Sequence, residues 1–148
     1  MKQNILYTIV LLAIFNITTF SQSVNLQAKE KIRLAKIAYI KSRINLTEEQ
    51  SEPFWSAYND IDKKRIDSRI NRANLISSSS NMTNSDAKIL ADLKETFTQR
   101  QRELDLEKEL FNKLQKIINP RQIAEFFKAE VEFRNKLLNK TQDFGNKE

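Results

Sequence analysis

Apolar side chains recur along most of this chain at three- and four-residue intervals, the period of a helix buried on one side. Between residues 26 and 43, Ile32, Ala35 and Tyr39, with Ile37 and Ile40 on a neighbouring row, mark a first helix. A second begins at Thr47 and carries Phe54, Trp55, Tyr58, Ile61, Ile66 and Ile70 along one side. A third, from about 87 to 117, holds Leu90, Leu93, Phe97, Leu104, Phe111 and Leu114, with Ile118 just beyond. This is a near-heptad stripe, interrupted at Arg100 and Glu107, of the kind that packs against another helix. Pro120 ends that helix and opens a fourth with Ile123, Phe126, Phe127, Val131, Phe133, Leu137 and Leu138; from Thr141 the tail is expected to fray. Residues 77–85, Ser-Ser-Ser-Ser-Asn-Met-Thr-Asn-Ser, have no period and read as a flexible loop. With one Gly and two Pro in 148 residues, and many Lys, Glu, Gln, Leu and Ala, the fold class is all-α with four helices and no strands.

Local capping chemistry marks where two of these helices start. Thr47 can accept from an open amide of the first turn while Gln50, three residues on, reaches back to the Thr47 amide, which is a capping box. Asn119, Pro120 and Gln122 repeat the pattern, with proline at the first helical position. Leu46-Thr47-Glu48-Glu49-Gln50 and Ile118-Asn119-Pro120-Arg121-Gln122 therefore read as two hinges of one design. Ile118 and Ile123 flank the second cap as a hydrophobic staple, and Ser85 or Asp86 is placed to cap the third helix. Pro53 falls inside the second helix and removes an amide that would meet Glu49, so the first turn is expected to kink or stand partly separate. Phe54, Trp55 and Tyr58 at helical spacing read as core at the closed end of the first hairpin. On the last helix, Glu130 and Arg134 are spaced to pair.

The N-terminus changes the choice of compartment. Lys2, the apolar run 5–15 and Thr19-Phe20-Ser21 form the pattern of a secretory signal peptide, cut after Ser21. The expected organisation is a signal peptide at 1–21 and a single helical domain at 22–148, in the periplasm. An uncleaved anchor is the alternative, and a lipid anchor is excluded by the absence of cysteine. Losing Lys2 takes the net charge from +6 to +5, and a basic protein outside the cytoplasm meets little nucleic acid. Lys29, Arg33, Lys36, Lys41 and Arg43, with Lys31, load the first helix against the single acid Glu30. Lys63, Lys64, Arg65, Arg69 and Arg72 make the second basic as well. Such a run is either an ordinary solvated face or a docking face for acidic protein partners or, peripherally, anionic lipid headgroups.

Catalytic chemistry has little to work with. Cysteine and histidine are absent, which removes thiol nucleophiles, imidazole bases and the preferred zinc and copper ligands. Carboxylate pairs such as Glu103 with Glu107 and Glu130 with Glu132 lack the Glu-x-x-His partners of a di-metal bundle, and no phosphate-binding glycine loop occurs. The chain reads as a non-enzyme without cofactor or metal.

The segments Lys36-Ile37-Ala38-Tyr39-Ile40, Asn45-Leu46-Thr47-Glu48-Glu49-Gln50 and Phe54-Trp55-Ser56-Ala57-Tyr58-Asn59 resemble the Spy/CpxP-like periplasmic family with its Leu-Thr-x-x-Gln motif. The likeness is nearest to the Bacteroidetes branch described as sensors of ECF-type sigma factors. Asn119-Pro120-Arg121-Gln122-Ile123, Phe126-Phe127, Glu130, Phe133-Arg134 and Leu137-Leu138 resemble that branch's closing helix. Pro53 stands before the Phe-Trp pair rather than after it, the second motif begins Ile-Asn, and the histidine ligands of metal-sensing relatives are missing. The resemblance implies a hooked or cradle-shaped four-helix fold, commonly a homodimer. It further implies an ATP-independent envelope-stress chaperone for unfolded clients or, alternatively, a regulator that docks a membrane anti-sigma factor.

Overall fold

Two capping boxes set the helix starts that organise this chain. The structure is a computed structural model and describes residues 27–145; the signal peptide expected at 1–21 lies outside them. The described residues are helical with no strand: α1 covers 27–43, α2 Glu48–Ser79, α3 Asp86–Leu114 and α4 Pro120–Gly145. None is long and apolar enough to cross a membrane. The residues fall into two compact units, 44–127 and the two chain ends 27–43 with 128–145.

Thr47 caps α2 by accepting from the Gln50 amide at 3.3 Å, and Gln50 Oε1 accepts the Thr47 amide at 3.1 Å. Asn119 and Gln122 repeat this at α4, both bonds being 3.0 Å, ahead of Pro120 at the first helical position. Ile118 and Ile123, the predicted staple, are both buried. Ser85 caps α3 through the Lys88 amide at 3.3 Å.

Three expectations need correction. The first turn does not stand separate from the rest of α2: the helix runs unbroken through Pro53, with Glu49 and Pro53 both exposed, so water can take the carbonyl that proline leaves without a donor. The loop is 80–85, not 77–85: Ser77, Ser78 and Ser79 are helical. Ser78 and Ser79 donate back to the carbonyls of Leu75 and Ile76 at 3.0 and 2.8 Å, which satisfies the hydroxyls within the last turn. Asn84 Nδ2 then donates to the exposed Ser78 carbonyl at 2.6 Å, closing the helix end. The fourth helix continues to Gly145, through the stretch from Thr141 where fraying is expected.

In the 44–127 unit the core gathers at the capping boxes. Phe54 and Tyr58 are buried and nearly parallel, their rings 6.3 Å apart, and Phe126 meets both edge-on at 5.5 and 5.8 Å. Trp55 adds edge contacts at 5.0 and 5.6 Å, and Phe127 links Phe126 to Phe111. Ile44, Ile61, Leu110, Leu114, Ile118 and Ile123 fill the remaining volume. Each aromatic pair adds about 0.5–1.5 kcal/mol beyond the area it buries. In the other unit Ile40 and Ala129 are fully buried, and Tyr39 packs on Phe133 at 6.0 Å.

Candidate protein-binding surface

Away from the aromatic cluster, the seam between α2 and α3 changes character. The buried positions on α2 run Phe54, Tyr58, Ile61 and then Asp62, Arg65, Ser68 and Ser79; those on α3 run Leu114, Leu110, Leu106 and then Thr96 and Asp92. Ser68 Oγ donates to Gln99 Oε1 at 2.7 Å. Glu103 accepts from Arg69 and Arg72 at 3.1 and 3.0 Å. Asp92 is held by Lys88 and by the Ser78 hydroxyl at 3.2 Å. This half of the hairpin is joined by polar side chains.

The apolar residues of the same stretch lie outside. Ile66, Ile70 and Ile76 on α2 are exposed, as are Leu90, Leu93, Phe97, Leu104 and Phe111 on α3; Phe97 is 65% exposed. The predicted α3 stripe is therefore left largely open to solvent, except at Leu114. Helix geometry gives the reason. At about 100° per residue, Ile66 stands about 140° round from Ile61, so a single α2 face cannot bury both. On α3 the stripe is likewise turned about 120° from the Asp92–Thr96–Leu106–Leu110 row.

The ten basic residues of the candidate docking face are divided between the two units. In the unit of chain ends, Lys36 meets Glu130 at 2.9 Å with both side chains largely covered, Arg43 meets Glu132 at 3.3 Å, and Arg33 meets Glu30 at 2.8 Å. Glu130, expected to pair along α4 with Arg134, thus reaches across to α1. Lys29 and Lys41 are exposed. In the 44–127 unit Lys63 and Lys64 are exposed, and Lys64 meets Asp60 at 3.0 Å. Arg65 is buried, while Arg69 and Arg72 are the pair that grips Glu103. Sequence spacing alone could not show these pairings, because each partner but Glu30 and Asp60 belongs to another helix.

The electrostatics follow from these contacts. The Tyr39 hydroxyl donates to Glu132 at 2.7 Å and, aided by Arg43, holds that carboxyl below its ordinary range. Lys64 and then Lys113 do the same for Asp60, and Lys88 with Ser78 for Asp92. Lys113 is raised by Glu109 and Asp60. Among the described residues no group of three or more carboxylates is placed to hold a metal ion.

The motif residues work on their own backbone and on each other. Gln50 Nε2 donates to Gln122 Oε1 at 3.4 Å, Gln122 Nε2 returns the bond to Gln50 Oε1 at 3.0 Å, and it also reaches the Asn45 carbonyl at 2.6 Å. No protein-family model, no curated protein and no solved structure matches this chain.

Proposed function

We propose that this protein is a non-enzymatic extracytoplasmic stress protein that holds unfolded or partner polypeptide without ATP. The observation carrying this reading is the inversion within the α2–α3 hairpin: its polar side chains form the seam while Ile66, Ile70, Ile76 and the α3 stripe face water. Exposed apolar side chains in such number mark a surface that binds something. Flanking charges such as Lys63 and Lys64 suit segments that are part apolar and part acidic. The signal-like N-terminus and the resemblance to Spy/CpxP-like proteins support the compartment and the class.

The test is suppression of client aggregation by the purified protein at low and high salt, compared with an Ile66→Ser/Ile70→Ser variant. The expected result is suppression by the native chain and at least a severalfold loss in the variant, with helicity unchanged. No suppression at either salt concentration would remove the chaperone reading. Selective recovery of a membrane-bound anti-sigma factor, in place of general client binding, would favour the regulator alternative.

A further inference from the structure

We infer that the unit of chain ends docks on an anionic phospholipid surface through the outward face of α1. Charge is segregated between the two units. Residues 27–43 and 128–145 carry ten basic against four acidic side chains, a net of +6, whereas residues 44–127 carry 13 against 14, a net of −1. The basic run of α2 is thus balanced within its own unit, and the positive field belongs to α1 and the later part of α4. Three of the four carboxylates of the small unit are already engaged: Glu30 by Arg33, Glu130 by Lys36, and Glu132 by Arg43 and the Tyr39 hydroxyl. Lys29, Lys31 and Lys41 on α1 and Lys128, Arg134 and Lys140 on α4 stand exposed.

The face that α1 turns outward decides the occupant. At about 100° per residue, Lys31, Leu34, Ala38 and Lys41 fall within an arc of about 80°, centred opposite Lys36, which pairs with Glu130 of α4. All four are exposed, Leu34 to 52%. An apolar centre therefore lies between two lysines. Lysine stems can lie along such a surface with their ammonium groups at the level of lipid phosphates, while the leucine enters the headgroup layer. A purely polyanionic partner, whether acidic peptide or nucleic-acid backbone, would satisfy the lysines and leave Leu34 against charge. A fluid anionic lipid layer accepts both, and it needs no shape match to cations spread over two helices. This docking is independent of client binding and uses none of the exposed apolar residues of α2 and α3.

Vesicle co-sedimentation tests this with the chain from Gln22 onward, because the apolar run 5–15 would itself enter lipid. Vesicles of equal parts phosphatidylglycerol and phosphatidylcholine should bind it about tenfold or more better than phosphatidylcholine alone in about 50 mM salt, and the binding should be largely lost in about 0.5 M salt, where screening is short-ranged. Lys31→Glu/Lys41→Glu should weaken binding about tenfold or more, and Lys31→Gln/Lys41→Gln, which adds no acid, severalfold. Lys63→Glu/Lys64→Glu, an equal change of charge in the other unit, should leave binding within about twofold. Leu34→Ser should weaken it severalfold without altering its salt dependence. Circular dichroism confirms that each variant is folded. No preference for phosphatidylglycerol, an equal loss from the Lys63/Lys64 reversal, or a Leu34→Ser chain that binds as the native one does would each overturn the proposal. Polyglutamate bound as tightly as the vesicles, and lost in the same lysine variants, would make the face one for acidic protein and overturn it as well.

Discussion

Gln50 and Gln122 donate to each other's side-chain oxygen across 72 residues of sequence, and each oxygen simultaneously accepts the backbone amide of its own helix cap. Four residues after each glutamine comes a fully buried phenylalanine, Phe54 and Phe126, whose rings meet at 5.5 Å. The two helix starts are thus joined by one polar pair and, a turn further on, one aromatic pair. Replacing either glutamine with alanine removes a cap and half of the joint, and should cost about 1–2 kcal/mol in urea unfolding. The double variant should cost less than the sum, because the reciprocal bonds are lost only once.

Thr47→Ala should cost on the order of 1 kcal/mol and should alter binding only through that loss of stability. If partner binding vanished while the melting temperature held, Thr47 would be a contact and its assignment as a cap would fail.

The α3 positions divide into two classes that one unfolding series separates. Leu110 is fully buried, so Leu110→Ala should cost about 2–5 kcal/mol. Phe97, although larger, is exposed, and Phe97→Ser should move stability by about 0.5 kcal/mol or less. Equal costs at the two sites would show that the stripe, not the polar row, faces α2.

Glu103 is the carboxylate that Arg69 and Arg72 share. Glu103→Gln keeps the shape and removes the charge, and should destabilise the hairpin by about 1 kcal/mol. The loss should shrink in high salt, because Arg69 is 41% exposed and the attraction is partly screened.

Stability should be flat from about pH 5 to 8, since the chain has no histidine. Asp60, Asp92 and Glu132 bind protons less readily folded than unfolded. What they contribute is therefore fully present above their ordinary values of 3.8 and 4.5 and is lost as the pH falls through their lowered folded values. Lys113 is raised, so its contribution disappears only above 10.5. In Tyr39→Phe, which removes the donor to Glu132, NMR titration should find that carboxyl moved back towards its ordinary value.

Helix starts were legible in the sequence because capping is local chemistry: Thr47 with Gln50, Asn119 with Gln122, and Ser85 each act within three residues of themselves. The aromatic core was legible for the same reason, since Phe54 and Tyr58 fall one turn apart behind a marked helix start. What only the tertiary structure decided was which face of each helix turns inward beyond that core. A period of 3.6 shows that a stripe exists and says nothing about what covers it. The Ser68–Gln99 and Arg69–Glu103–Arg72 contacts took the α2–α3 seam and rotated the apolar stripe of α3 outward. Those contacts join residues 31 to 34 apart, so their energy exists only once the hairpin has closed.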